Sequence, residues 1–342
     1  MKLTYAASGV DIDKKSSAIG SLVKNIVFAR KGMGAPFRSV AGHFAGAVEF
    51  GEYAITLCTD GVGTKLLIAE SMGKWDTVGI DCIANNVNDA ICIGAEPIGF
   101  VDYIAVETPS DSVMADIGRG LDEGARQANV TIMGGETAVL PELVKGVDLS
   151  GTCIGIIKKK DIISGRSIAP GDMLIGIKST GIHSNGYTLA RRVFKEAGYG
   201  YDDAVFDNKR LGEVLLEPTR IYVRGVMELI KKVQVRGMAN ITGGGLRNLI
   251  RLQRSVEFRI ETPIKPHRIF RVMQELGNID DAEMYQTFNM GMGYCVAVRE
   301  KDAATALKIL RKHYDAEIVG QVYKSKETCA TVPGKKLKYA KY

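Results

Sequence analysis

The chain has 342 residues, 46% of them hydrophobic and 25% charged, with a formal net charge of +6. This length predicts two domains of roughly 150 residues each, and the composition excludes a disordered chain. Six cysteines without a Cys-x-x-Cys pair read as reduced core residues, and no run of about 18 apolar residues predicts a membrane span, so a cytoplasmic location is expected.

Up to about residue 50 the pattern is irregular, with glycine clusters at 31–36 and 42–46 that read as surface loops or as loops over a ligand. An apolar strand at 54–59 then runs into Thr59-Asp60-Gly61-Val62-Gly63-Thr64-Lys65. Two glycines let backbone N–H groups approach an anion, Lys65 carries a compact positive charge, and Asp60 offers a hard oxygen suited to Mg2+. The spacing is neither that of a Walker A loop nor that of a dinucleotide fingerprint.

The segment 77–95 has helical periodicity, but Asp81, Asn85, Asn88 and Asp89 fall on one face. Short polar side chains on an otherwise apolar helix predict cation ligands or, alternatively, an internal hydrogen-bond network. A strand at 98–106, a helix at 112–129 and a short strand at 131–133 follow, the last ending in Gly134-Gly135-Glu136-Thr137. Such strand ends carry functional loops in α/β sheets, so Glu136 is a third candidate carboxylate. Two like charges about 4 Å apart repel by roughly 4 kcal/mol at an effective dielectric near 20. Convergence of Asp60, Asp89 and Glu136 therefore predicts a divalent cation among them, Mg2+ in the absence of histidine or thiolate ligands.

After a strand at 151–157, the Ser-Gly and Pro-Gly pairs of 161–172 mark a boundary, giving domains 1–165 and 166–342. The second half reads as strands at 173–178, 237–242, 256–260, 294–298 and 318–323, with helices at 187–197, 219–234, 246–252, 267–276 and 303–313. Two loops there are candidate anion sites. His183-Ser184-Asn185-Gly186 opens one helix, and Thr242-Gly243-Gly244-Gly245 opens another. His183 is also a candidate for moving a proton or stabilising an oxyanion. The basic residues form no aromatic-interleaved patch outside the tail at 335–341, so nucleic acid is not an expected partner.

Taken together, the chain resembles the phosphoribosylformylglycinamidine cyclo-ligase (aminoimidazole ribonucleotide synthetase) family. The strings that carry the resemblance lie at 9–13, 59–65, 88–89, 94–97, 134–137, 183–187, 217–222, 242–245, 283–285 and 287–291, in order along nearly the whole chain. The resemblance implies two α/β (α+β) domains, the first contributing strands to an intersubunit β-barrel in a homodimer and the second an α/β sandwich. It implies ATP-dependent closure of formylglycinamidine ribonucleotide to aminoimidazole ribonucleotide, with ADP and phosphate released. It further implies catalytic roles for His183, Lys65 and Asp60, nucleotide binding by residues 61–65 and Asn88, and Mg2+ on Asp60, Asp89 and Glu136. Residues 183–186 and 242–245 are the implied substrate site. The sequence departs from the common pattern at Asn240, where a histidine is usual, and at 140–144, where the loop is shorter. A non-catalytic nucleotide-binding protein is the alternative from another class.

Overall fold

The computed structural model describes residues 3–5, 8–10, 12–206, 209–252 and 255–341, which leaves Asp11 of the 9–13 string outside it. The first sheet is built from β1 (Gly46–Phe50), β2 (Tyr53–Gly61), β3 (Glu96–Val106), β4 (Thr131–Val139) and β5 (Val147–Lys158), in the order β1-β2-β5-β3-β4. The second uses β6 (Met173–Lys178), β9 (Val235–Asn240), β10 (Val256–Ile260), β11 (Met292–Val298), β12 (Ala316–Lys324), β13 (Cys329–Val332) and β14 (Leu337–Tyr339), in the order β14-β13-β10-β12-β6-β11-β9. A small hairpin, β7 (Ala204–Phe206) with β8 (Lys209–Arg210), stands apart. The chain is thus a mixed α/β protein whose first sheet ends at Lys158 and whose second begins at Met173.

Ten helices among the described residues link and cover these sheets. They are α1 (Ile12–Lys24), α2 (Leu66–Met72), α3 (Val78–Ala90), α4 (Asp111–Ala128), α5 (Tyr187–Glu196), α6 (Leu211–Leu215), α7 (Val223–Lys232), α8 (Arg268–Leu276), α9 (Asp281–Thr287) and α10 (Glu300–Leu310). The expected helix over 219–234 begins only at Val223, because the Thr219 and Tyr222 N–H groups and the Arg220 carbonyl are bonded to Asp81 and Asn88 of α3. The helix α1 occupies the stretch expected to be irregular. Its apolar residues Ile19, Leu22 and Val23 have helical spacing, a signal masked by the glycine clusters that follow.

Helix α3 lies across β2 and β5, and α4 packs on α3. The two helices approach closely because Gly79 faces Gly120, where an added Cβ on Gly79 would sit 2.2 Å from the Leu121 nitrogen. Beneath them β2 alternates, with Ala54, Thr56 and Cys58 buried on the helix side and Leu57 exposed on the other. That second face is apolar and uncovered, with Leu57 54%, Tyr103 40% and Met133 61% exposed and Val101 beside them. No helix among the described residues is long and apolar enough to cross a membrane.

Candidate functional site

Asp60 ends the helix-facing row of β2, one register step from the turn into the glycine loop. The loop is tied down by α3. Asn85 Nδ2 donates to the Gly61 carbonyl at 3.0 Å, and Asn86 Nδ2 donates to the Asp60 carbonyl at 3.2 Å. Asp89 projects from the last turn of the same helix, and its Oδ1 accepts a 2.8 Å bond from Asn240 Nδ2 on β9. By surface area Asp60 is exposed and Asp89 half-buried, although protein atoms crowd around both carboxyl groups. Burial raises both pKa values. For Asp89 the result is about 7, with the charge of Asp60 adding to it and the Asn240 bond and the Arg251 guanidinium opposing it. For Asp60 the Gly61 N–H and Lys15 of α1 oppose the rise. Two mutually repelling, partly desolvated carboxylates fit a hard divalent cation.

Glu136 does not join them within one chain. In the ladder Asp60 stands opposite Gly151, Gly151 opposite Asp102, and Asp102 opposite Gly135. Glu136, the next residue, pairs with Tyr103 and so shares the uncovered face rather than the helix face. It also lies three strands from β2, roughly 14 Å at the usual spacing. Among the described residues no three His, Cys, Asp or Glu side chains stand close enough to cage a metal ion. The expected three-carboxylate convergence is therefore corrected to the pair Asp60 and Asp89. The sequence reading missed Asp102, which alternates in phase with the buried Phe100 and Ile104 and has a pKa raised by desolvation.

Lys65 also differs from expectation. Its side chain and that of Asp81 are both 0% exposed, and Nζ lies 2.7 Å from Asp81 Oδ2. It donates as well to the carbonyls of Glu217 at 2.7 Å and His183 at 3.2 Å. An ammonium so enclosed has no donor left for a triphosphate, so its expected phosphate contact gives way to an internal one. The polar stripe of α3 is likewise mostly structural. Asn88 donates to the Arg220 carbonyl at 2.8 Å and accepts from the Tyr222 N–H at 2.9 Å, and at 1% exposure its amide is turned inward, away from a nucleotide. Only Asp89 of the stripe keeps a carboxylate oxygen for a ligand.

The two anion loops face each other. Gly243 approaches Asn185 so closely that an added Cβ would sit 2.8 Å from Asn185 Oδ1. Asn248 Nδ2 shapes the Thr242–Gly245 turn from below, donating to the Gly245 carbonyl at 2.9 Å. Asn289 Nδ2 does the same for the other loop through the carbonyls of Gly181 and Ile182, at 2.9 and 3.1 Å. His183 sits in this second turn at φ 69°, buried, with Nε2 accepting from the Thr180 N–H at 3.2 Å. Burial and the nearby Lys65 push its pKa well below the ordinary value. A neutral imidazole whose Nε2 accepts carries its proton on Nδ1, so the ring holds the turn through Nε2, is no imidazolium acid for protonating an oxygen, and keeps one N–H donor for the expected oxyanion contact. Arg251, unmarked in the sequence, donates to the His43 carbonyl at 2.6 Å and stacks 4.0 Å over Phe44, bringing a cation toward Asp89.

Two family models match the chain: "AIR synthase related protein, N-terminal domain" over residues 42–157 and "AIR synthase related protein, C-terminal domain" over 169–332. A phosphoribosylformylglycinamidine cyclo-ligase of Methanosarcina barkeri is 50% identical over 325 residues, covering 94% of this chain and 96% of that protein. One from Methanocaldococcus jannaschii is 49% identical over 329 residues, covering 95% and 93%. Among solved structures, a HypE–HypF complex matches with a TM-score of 0.65 at 20% identity, over 94% of this chain and 98% of that one. AaThiL complexed with AMPPCP and TMP matches with a TM-score of 0.63 at 16% identity, over 94% and 93%.

Proposed function

The chain belongs to the phosphoribosylformylglycinamidine cyclo-ligase family, and we propose that the cleft between its two halves is where that reaction is carried out. The protein closes formylglycinamidine ribonucleotide to 5-aminoimidazole ribonucleotide with ATP, releasing ADP and phosphate, a step of purine biosynthesis. The observation that carries the assignment to the cleft is that Asp60 opens the glycine loop, accepting from the Gly61 N–H at 2.8 Å, while Asp89 is bonded at 2.8 Å to Asn240, two residues before the Thr242–Gly245 loop.

In this reading residues 1–165 present the triphosphate site and residues 166–342 complete it. The amides of Gly61 and Gly63, with Val62 and Thr64, line the nucleotide side. Asp60 and Asp89 would hold Mg2+, which neutralises phosphate charge when bound. The backbone N–H groups of Ser184, Asn185 and Gly186 with Thr242 to Gly245 take the ribose phosphate, since helix-start N–H groups suit a dianion. Transfer of the γ-phosphoryl group to the formyl amide oxygen converts that oxygen into a leaving phosphate. The amidine nitrogen then attacks the carbon, and phosphate departs. The protein's part is mainly to position charge and exclude misaligned approaches. The test is phosphate release in the presence of formylglycinamidine ribonucleotide and Mg·ATP. Release that ignores the ribonucleotide would argue for a different ATP user.

We extend the reading to a homodimer joined through the uncovered face of the first sheet. An exposed apolar face carrying Leu57, Val101, Tyr103 and Met133 is unusual on a monomer's surface. A face-to-face pair would remove it from water and build the barrel the family resemblance implies. Leu57→Lys is expected to halve the solution mass measured by light scattering, because a charge buried in that contact lacks a partner. A parent protein that is monomeric at micromolar concentration would overturn the dimer.

A further inference from the structure

We propose that Asp81 is a positioning residue, one carboxylate that sets the substrate loop in register with the triphosphate loop. It stands in the first turn of α3, where a negative charge is favoured by the helix dipole. Its Oδ1 accepts from the Thr219 N–H at 2.8 Å, the Thr219 hydroxyl at 2.6 Å and the Ser184 hydroxyl at 3.1 Å. Its Oδ2 faces Lys65 Nζ at 2.7 Å, and that ammonium goes on to the carbonyls of His183 and Glu217. Asp81 and Lys65 belong to the first half of the chain. Every other group in the cluster belongs to the second. The Ser184 and Thr219 hydroxyls, 2.8 Å apart, complete the ring.

The anchored residues are next to the chemistry. Lys65 closes the loop that begins at Asp60, and Thr64 Oγ1 lies 3.3 Å from Thr188 Oγ1 on α5. Ser184 precedes Asn185, the residue against which Gly243 packs. Bulk stability does not require a buried charge here, since a pair of well-packed apolar side chains commonly holds a core as well. What the carboxylate adds is direction. It accepts several donors at fixed angles and so leaves the two loops a single relative placement, and a misplacement of about 1 Å between reacting groups is worth about 100-fold in rate.

This inference rests on the cyclo-ligase reading, so the parent protein is assayed first, and absence of product there would count against that reading rather than against Asp81. The decisive variant is Lys65→Met/Asp81→Leu, which removes both charges while keeping the volume. It is expected to fold and to bind a non-hydrolysable ATP analogue within about threefold of the parent, while KM for the ribonucleotide rises about tenfold or more. Lys65→Met/Asp81→Asn restores the Oδ1 acceptor and should bring KM most of the way back. Thr219→Val removes one donor, leaves both charges in place and keeps the fold testable should the double variants fail, with an expected KM increase of about threefold. Parent KM and kcat in Lys65→Met/Asp81→Leu, or an unchanged KM in Thr219→Val, would overturn the proposal.

Discussion

Asp89→Asn is expected to lower ATP-dependent ring closure by about 100- to 1,000-fold while raising the melting temperature of the ligand-free protein. The two effects share a cause. Burial, with the charge of Asp60 added, lifts the Asp89 pKa to about 7, far above the ordinary carboxylate value. The folded state therefore binds more protons than the unfolded state between about pH 4 and pH 7, and stability falls as pH rises through that window. Above it the ionised Asp89 opposes folding by about 2 kcal/mol, allowing for its partial access to solvent. Asparagine has no charge to repel Asp60 and still accepts from Asn240, so the penalty disappears along with the ligand oxygen. Melting curves from pH 5 to pH 8 should slope downward for the parent and flatten for the variant. Mg·ATP binding by the parent near pH 6.5 should release protons, seen as a dependence of binding heat on buffer ionisation. A variant that keeps parent turnover would remove Asp89 from the site.

Lys65→Met should cost about 3–5 kcal/mol of folding stability, one of the largest losses available to a single substitution here. The change leaves the Asp81 carboxylate wholly buried with its counterion gone. It also strips the Glu217 and His183 carbonyls of a shared donor. Desolvation already lowers the Lys65 pKa and Asp81 is the main force opposing it, which marks the two charges as interdependent. Urea denaturation gives the measurement through the shift in midpoint at constant slope. A loss below about 1 kcal/mol would mean that water reaches the pair and that Lys65 is not the enclosed group described above.

The strands of both halves were legible because their apolar runs are short and bounded by turn residues, as with Val256–Ile260, which lies where the pattern places it. Strand direction was not. Alternating strands and helices suggest parallel neighbours, yet among the described residues only β3 with β4 and β10 with β13 pair in parallel. Direction depends on which strands become neighbours, and β5 slips between β2 and β3 from far along the chain. The glycine loops were legible as loops. Their occupants were not, because side-chain type states what a group is able to bind and not what has already bound it. Lys65 and Asn88 show this most clearly, since each carries the chemistry of a nucleotide ligand and each is consumed by backbone groups of the second half.

The chemistry-bearing strings in their order along the chain carried the resemblance to the family, and the reaction was what that resemblance implied. Periodicity determined that Asp81, Asn85, Asn88 and Asp89 share a face, since 3.6 residues per turn is a local property of the helix. Tertiary structure alone decided which of them keeps an oxygen for a ligand. It placed Glu136 on the far face of the sheet and closed Lys65 inside an ion pair, because ladder register and interdomain packing join residues that no local spacing connects.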